Sequence, residues 1–174
     1  MITFLTESGR EISQTAYEED WRKLPLKEMR CSRCGCVGRL TRHACYTRAV
    51  KNDGCLVSLT IKRLKCSNCK RTHAVLPSYI VPYSRVTLGE QMQILCQYTQ
   101  GLGFLAVMEQ NAEIDENLSY SILRRYRDHW QEDFAPEAIL RLSAEEASRL
   151  CFVSHHKQFM QVRGIPNSFF AKPT

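Results

Sequence analysis

The chain changes its hydrophobic period once. Ahead of Pro82 its texture is that of strands, and past it apolar residues take the three-to-four spacing of helices. From Arg39 to Val50 there is no helix breaker, and Tyr46, Thr47 and Val50 favour extended backbone. Asn52-Asp53-Gly54 then supplies a hairpin-turn signal. On the return strand Val57, Leu59 and Ile61 alternate with Ser58, Thr60 and Lys62, so one face is expected to be buried. His73-Ala74-Val75-Leu76-Pro77 reads as a short third strand closed by proline.

The helical part begins at Thr87-Leu88-Gly89-Glu90, which has the form of a capping box. Leu88, Met92, Leu95 and Thr99 form its stripe until Gly101-Leu102-Gly103 breaks it. A second, short helix is expected from Phe104 to about Ala112, with Leu105 and Met108 facing inward. A third, capped by Ser119 or Ser121, buries Ile122, Leu123, Tyr126 and Trp130 and projects Arg124, Arg125 and Arg127 from its other sides. This succession is the pattern of a helix-turn-helix, whose last helix enters the major groove. In that geometry Tyr120, Ser121 and Arg124 are placed for base edges, and Arg125 and Arg127 for phosphates. A plain helical bundle with solvated arginines has the same periodicity. The connection from Asn111 to Leu118 also carries Glu113, Asp115 and Glu116, which oppose a nearby phosphate.

The flanks contribute a strand at Ile2 to Thr6 and a helix around Tyr17 to Lys23 anchored by Trp21. Pro136 suits a first helical position, and Ser143-Ala144-Glu145-Glu146 opens a further helix. The tail from Lys157 to Thr174 has three basic residues and no acid, and either packs back or forms a basic apolar arm. The fold class is therefore α+β, a β-rich N-terminal ribbon followed by a helix-turn-helix-like helical domain. Its segments are an N-terminal flank (1–29), the ribbon (30–82), the helical domain (83–134) and a C-terminal helix with a basic tail (135–174).

Cysteine spacing adds chemistry to the ribbon. Cys31-Ser32-Arg33-Cys34 and Cys66-Ser67-Asn68-Cys69 bracket the hairpin. A two-residue spacer lets one tight turn present two thiolates to one ion, and the hairpin brings the two turns face to face. The expectation is one structural zinc ion on Cys31, Cys34, Cys66 and Cys69. Cys36 and His73 lie close enough in sequence to replace one of the four. A disulfide framework fits poorly with nine cysteines and no signal peptide. A thioredoxin-type pair would sit at a helix start, whereas both pairs here fall in turns of a β-rich region. Cys45, Cys55, Cys96 and Cys151 have no partner at ligand spacing and read as small core residues. His155-His156 lacks further ligands at helical spacing and reads as incidental.

Charge separates the two halves. Residues 30–71 hold eleven Lys or Arg against Asp53 alone, a net +10, while the whole chain carries +6. Arg39, Arg42, Arg48, Lys62, Arg63 and Lys65, with Lys51, Lys70 and Arg71, decorate the strands and second knuckle. Such density on a small module is the footprint of a polyanion, here double-stranded DNA. A solvated face that discourages edge pairing is the blander source of the same charge. No apolar run reaches the roughly 18 residues of a membrane span, and thiols kept reduced indicate an intracellular, cytoplasmic setting.

The string Arg63-Leu64-Lys65-Cys66-Ser67-Asn68-Cys69-Lys70-Arg71-Thr72-His73-Ala74-Val75-Leu76-Pro77 resembles the second knuckle of a bacterial zinc-ribbon family of unknown function. It is also similar to the N-terminal zinc ribbons of insertion-sequence transposases, in which the ribbon precedes a helix-turn-helix. The resemblance covers about residues 30–130. It implies a DNA-associated role in mobile elements, with a recombinase or transposase as partner, and supports the four cysteines as ligands. It brings no catalysis, because the nuclease domain of a transposase needs room that this chain does not offer.

Two functions follow. One is a DNA-binding regulator or accessory factor of a mobile element or recombination system. The other is a zinc-dependent protein-interaction module. An enzyme is not expected, since there is no phosphate loop, His-Glu-x-x-His string or nucleophile elbow, and four thiolates leave zinc no open position.

Overall fold

The computed structural model describes residues 1–6, 11–111 and 114–162, together with the backbone of a strand at Ser168–Phe170. Ala112 and Glu113, the expected end of the second helix and start of the acidic turn, lie outside the described residues. So do 163–167 and 171–174 of the tail.

The hairpin is built as its pattern dictates. Strand β2 (Leu40–Asn52) pairs antiparallel with β3 (Cys55–Cys66), and β3 pairs antiparallel with β4 (Thr72–Pro77). The β2–β3 loop is Asp53-Gly54, with φ of 49° and 69°, the two left-handed residues that a type I′ turn requires. Val50, Leu59 and Ile61 are fully buried. Farther along β3 the inward positions are Leu64 and Cys66, so the core-facing parity changes between Ile61 and Leu64. The register of β2 shifts between Arg42 and Ala44 at the same level. A bulge of this kind re-aims a strand's side chains, and here it coincides with the turn of Cys66 toward the interior.

The flanks enlarge the ribbon. β1 (Ile2–Phe4) runs parallel to β4, and β5 (Ser168–Phe170), from the C-terminal tail, runs parallel to β1. The five-stranded sheet has the order β2-β3-β4-β1-β5. Helix α1 (Gln14–Arg22), capped by the Ser13 hydroxyl, buries Tyr17 and Trp21 among the sheet's apolar residues. Tyr17 joins the layers: its hydroxyl donates to the Val75 carbonyl (3.0 Å) and accepts from the Lys62 amide (2.8 Å).

A second core gathers α2 (Leu88–Thr99), α3 (Phe104–Gln110), α4 (Glu116–His129), α5 (Pro136–Ile139) and α6 (Ala144–His155) around Ile94, Leu95, Val107, Ile122 and Tyr126. Helices α2, α3 and α4 pack pairwise. Pro136 opens α5, and Ser143 with Glu146 forms a complete capping box on α6, both as the sequence predicts. Trp130 is buried against Phe134, His155 and Phe159.

Several expectations need correction. Leu105 is 73% exposed and Val107 is the inward residue of α3. Helix α4 starts at Glu116 with Asp115 as its cap, accepting from the Asn117 amide. Ser119 is buried within the helix, and Ser121 donates its hydroxyl to the Asn117 carbonyl, so neither caps. Tyr120 and Arg124 consequently sit one and two turns inside α4 rather than at its start. Cys45 and Cys55 are exposed, because β2 is the outer strand and Cys55 adjoins the turn; Cys151 is buried and Cys96 half-buried. Among the described residues no helix is long and apolar enough to cross a membrane.

The two cores are tied along the hairpin. The Lys51 amide donates to the Arg85 carbonyl, the Thr87 amide to the Lys51 carbonyl, and the Leu88 amide to the Tyr79 carbonyl. Thr87 caps α2 with its hydroxyl. The Glu90 carboxylate accepts from the Gly54 amide at the hairpin tip (3.3 Å), and the Thr87 amide is given to Lys51.

Candidate metal centre and basic face

Two loops of the same build hold the cysteines. In the first, the Cys31 amide donates to the Cys36 carbonyl and the Gly35 amide to the Cys31 carbonyl, each at 2.9 Å. In the second, the Cys66 amide donates to the Arg71 carbonyl and the Lys70 amide to the Cys66 carbonyl, again at 2.9 Å. The Ser67 amide fastens the second loop to the Arg39 carbonyl at the root of β2 (2.8 Å). The two hydrogen bonds that close each loop thus match residue for residue.

The four sulfurs converge. Cys31, Cys34, Cys66 and Cys69 place their Sγ atoms within 4.8 Å of one another. Cys31 and Cys69 are 3.7 Å apart, as are Cys34 and Cys66. A tetrahedron with metal–sulfur bonds of about 2.3 Å has edges of about 3.8 Å. A disulfide would need about 2.05 Å, and all nine cysteines are free. The arrangement fits one tetrahedral ion held by one pair of thiolates from each loop. Among the described residues it is the one such cluster of metal-ligating groups.

The surroundings favour thiolates unequally. The Cys36 backbone amide and the Asn68 side-chain amide hydrogen-bond the Cys34 sulfur, which lowers that thiol to about 6. Burial pushes Cys31 up to about 12. A cation among the sulfurs offsets that desolvation and draws all four toward the ionised form. Cys36 shares Asn68 with Cys34, at 3.2 Å, and its pKa is raised chiefly by hydrogen bonding to Cys34.

His73 lies outside the four. Its Nε2 is 3.3 Å from Cys31 Sγ and its Nδ1 is 3.1 Å from the Ser32 hydroxyl. Burial lowers its pKa to about 4, so the ring is neutral near pH 7. One tautomer satisfies both contacts: Nε2–H donates to the Cys31 thiolate, and Ser32 O–H donates to Nδ1. Such a partner orients a ligand and tempers its charge. Sequence spacing brings His73 near the cluster, but the support from Ser32 and Asn68 is visible only once the two loops face each other.

The basic residues expected to meet DNA fall into separate groups. Arg39 is exposed beside the metal loops, and Lys65, opposite Thr41 on the adjacent strand, is half-buried. Arg42, Lys62 and Arg63 line one shallow concavity with Trp21. There the Arg42 guanidinium lies over the Trp21 ring (5.7 Å), and Lys62 pairs with Glu18 (3.5 Å). Arg48 is half-buried and donates to the carbonyls of Val81 and Ser84. On α4, Arg124 (3.3 Å) and Arg127 (2.9 Å) both pair with Asp128. Tyr120 meets Phe104 edge to face, with ring centroids 5.1 Å apart. Ser121, Arg124 and Arg125 line a common cleft with Tyr83 and His129. Tyr83 has no periodic signature, and its neighbour Pro82 is the one local sign of a turn.

The segment that carries both loops, the hairpin, β4 and α2 coincides with a recognised unit. Residues 31–101 match the family model of a domain of unknown function, DUF6431. No curated protein and no solved structure gives a significant match to the chain. The matched residues include the metal loops, the hairpin and α2 of this chain but neither α3 nor α4.

Proposed function

We propose that this chain is a zinc-ribbon DNA-binding protein of the cytoplasm, acting as a regulator or accessory factor in a mobile element or recombination system. The observation that carries the reading is the charge of the metal-stapled segment, +10 over residues 30–71 in a chain whose total is +6. Arg33, Arg39, Arg42, Lys70 and Arg71 are exposed on that segment. A sheet held by metal presents such charges without needing a large core, which suits an extended phosphate backbone. Four thiolates at tetrahedral spacing favour zinc, which has no geometric preference of its own and takes this ligand set in structural sites. Saturated in this way, the ion has a structural role, and the reading assigns no catalysis.

Double-stranded DNA is the partner, with a recombinase or transposase as a further one. The biological setting rests on the resemblance to transposase ribbons read from residues 63–77 of the sequence alone. Pairwise packing of α2, α3 and α4 supports a helix-turn-helix in which α4 faces the groove. A mobility-shift titration of the metal-loaded chain across salt concentrations tests the reading. Affinity should fall steeply with salt, and replacing Arg42, Arg63 and Lys65 together by alanine should weaken binding to all sequences and flatten the slope.

One observation favours a second reading. Strand β2 pairs with β3 on one side, and among the described residues its other edge has no strand partner over residues 40–50, Lys51 being bridged to Val86. Such an edge accepts a strand from another protein. Absence of DNA binding at low salt would move the assignment to a zinc-dependent interaction module.

A further inference from the structure

The turn that joins the ribbon to the helical core holds an aromatic ring where the backbone asks for glycine. The Ser84 amide donates to the Val81 carbonyl (3.1 Å), closing a four-residue turn with Pro82 second and Tyr83 third. Tyr83 has φ of 64°. This is the layout of a type II turn, in which proline suits the second position and glycine the third. A tyrosine there is strained, and its side chain gains nothing from burial, being 68% exposed.

The turn is nonetheless firmly set. Arg48 donates to the carbonyls of both Val81 and Ser84. The Ser84 hydroxyl bonds Val86 in both directions and accepts from the buried Gln91 side chain. The ring is thus presented by a rigid base beside a cleft of about 460 Å³. That volume lies in the range of about 300–1,000 Å³ typical of sites for small ligands. Tyr83, Ser121, Arg124, Arg125, Asp128 and His129 line it. Two arginines against one carboxylate, Asp128, which pairs with Arg124, leave the lining net positive.

We propose that this cleft takes one unpaired nucleotide of a DNA strand, its base stacked on Tyr83 and its phosphate held by Arg124 and Arg125. A planar π-surface beside guanidinium groups is what a nucleotide offers partners for, and stacking is indifferent to base identity. A hydrophobic ligand would find too many charges here, and a bare anion would leave the ring unused. The proposal rests on the DNA-binding reading and deepens it: the ribbon holds duplex, and this cleft holds a base that has left it.

The test is fluorescence anisotropy of the full metal-loaded chain with labelled oligothymidylate and, separately, with a labelled duplex. Asparagine tolerates the left-handed region, so Tyr83→Asn should melt no lower than the wild type while removing the ring. It should weaken single-strand binding about tenfold or more and leave duplex binding unchanged. Tyr83→Phe should retain single-strand affinity, and Arg125→Ala should flatten its salt dependence. If Tyr83→Asn binds the single strand like the wild type, or if Tyr83→Phe loses as much as Tyr83→Asn, the stacking site is wrong while the duplex reading stands. If neither probe binds at low salt, both fall together.

Discussion

Lys70 stands in the second metal loop where Gly35 stands in the first, each donating its amide to the leading cysteine's carbonyl and each left-handed, with φ of 61° and 74°. The left-handed region suits glycine and penalises lysine by about 1–2 kcal/mol. The strain is tolerated because the turn is fixed at both ends, by the hydrogen bonds and by the sulfurs' convergence.

Lys70→Gly should therefore stabilise the metal-loaded protein. The gain is about 0.5–1 kcal/mol after subtracting the larger entropy that glycine carries in the unfolded chain. Gly35→Ala should cost about 0.5–1 kcal/mol by the same reckoning, because a Cβ there meets only the Arg30 side chain, at an ordinary 3.8 Å, and the backbone sets the cost. Urea unfolding with an unchanged m-value reads both. A destabilising Lys70→Gly would mean that the lysine side chain, rather than the turn, governs this position.

Elemental analysis should find one zinc per chain in protein prepared without chelator. Removing it should unfold the ribbon, since binding and folding of such a site are coupled. Cys31→Ser and Cys66→Ser should each lose the ion. His73→Ala should keep it with affinity lowered about 10–100-fold, as expected for a group that supports a ligand. Competition with a chromophoric chelator measures this. Complete loss in His73→Ala would make His73 a ligand, and iron in place of zinc would overturn the metal assignment.

Arg48→Ala should act on stability rather than on nucleic acid. The guanidinium serves two carbonyls of the Val81–Ser84 turn, and hydrogen bonds from charged donors contribute about 1.5–3 kcal/mol. A loss of about that size in thermal unfolding is expected, with duplex affinity little changed in the cold. The reverse pattern would return Arg48 to the DNA-contacting set.

Glu90 gives stability a pH dependence of recognisable sign. Burial raises its carboxyl above the ordinary 4.5, and one oxygen, Oε2, is buried with no hydrogen-bond partner. The folded protein then holds this proton at pH values where the unfolded chain has released it. Its contribution is present below the unfolded value and is lost as pH rises through the raised folded one. Glu90→Gln keeps an acceptor for the Gly54 amide and removes the titration. The variant should match the wild type at acid pH and become progressively more stable than it toward neutrality. Parallel curves across that range would exclude Glu90 as the source.

Sequence pattern made the local features legible. The two Cys-x-x-Cys turns, the Asp53-Gly54 loop, the caps at Thr87 and Ser143 and the proline start of α5 depend on residues close together in the chain. What escaped depends on distance. β5 has only three residues, and it becomes a strand because it pairs with β1, far from its own sequence neighbourhood. The start of α4 was ambiguous because Asp115, Ser119 and Ser121 are all competent caps. On the seven residues of α3 a helical stripe is too short to separate Leu105 from Val107. Charge could be counted, but not its employment: Arg42, Arg48, Lys62, Arg124 and Arg127 all have partners within the fold.

The long hairpin is pinned at both extremities. Metal loops fix its root, and Glu90 and Thr87 grip its tip through Gly54 and Asn52. A strand of 13 residues spans roughly 40 Å at the usual rise. Secured in this manner the hairpin behaves as a strut, and a disturbance at one end reaches the other as a displacement instead of dying out along a loose arm. Loss of the ion would thus be felt at the first turn of α2, where the helical core begins.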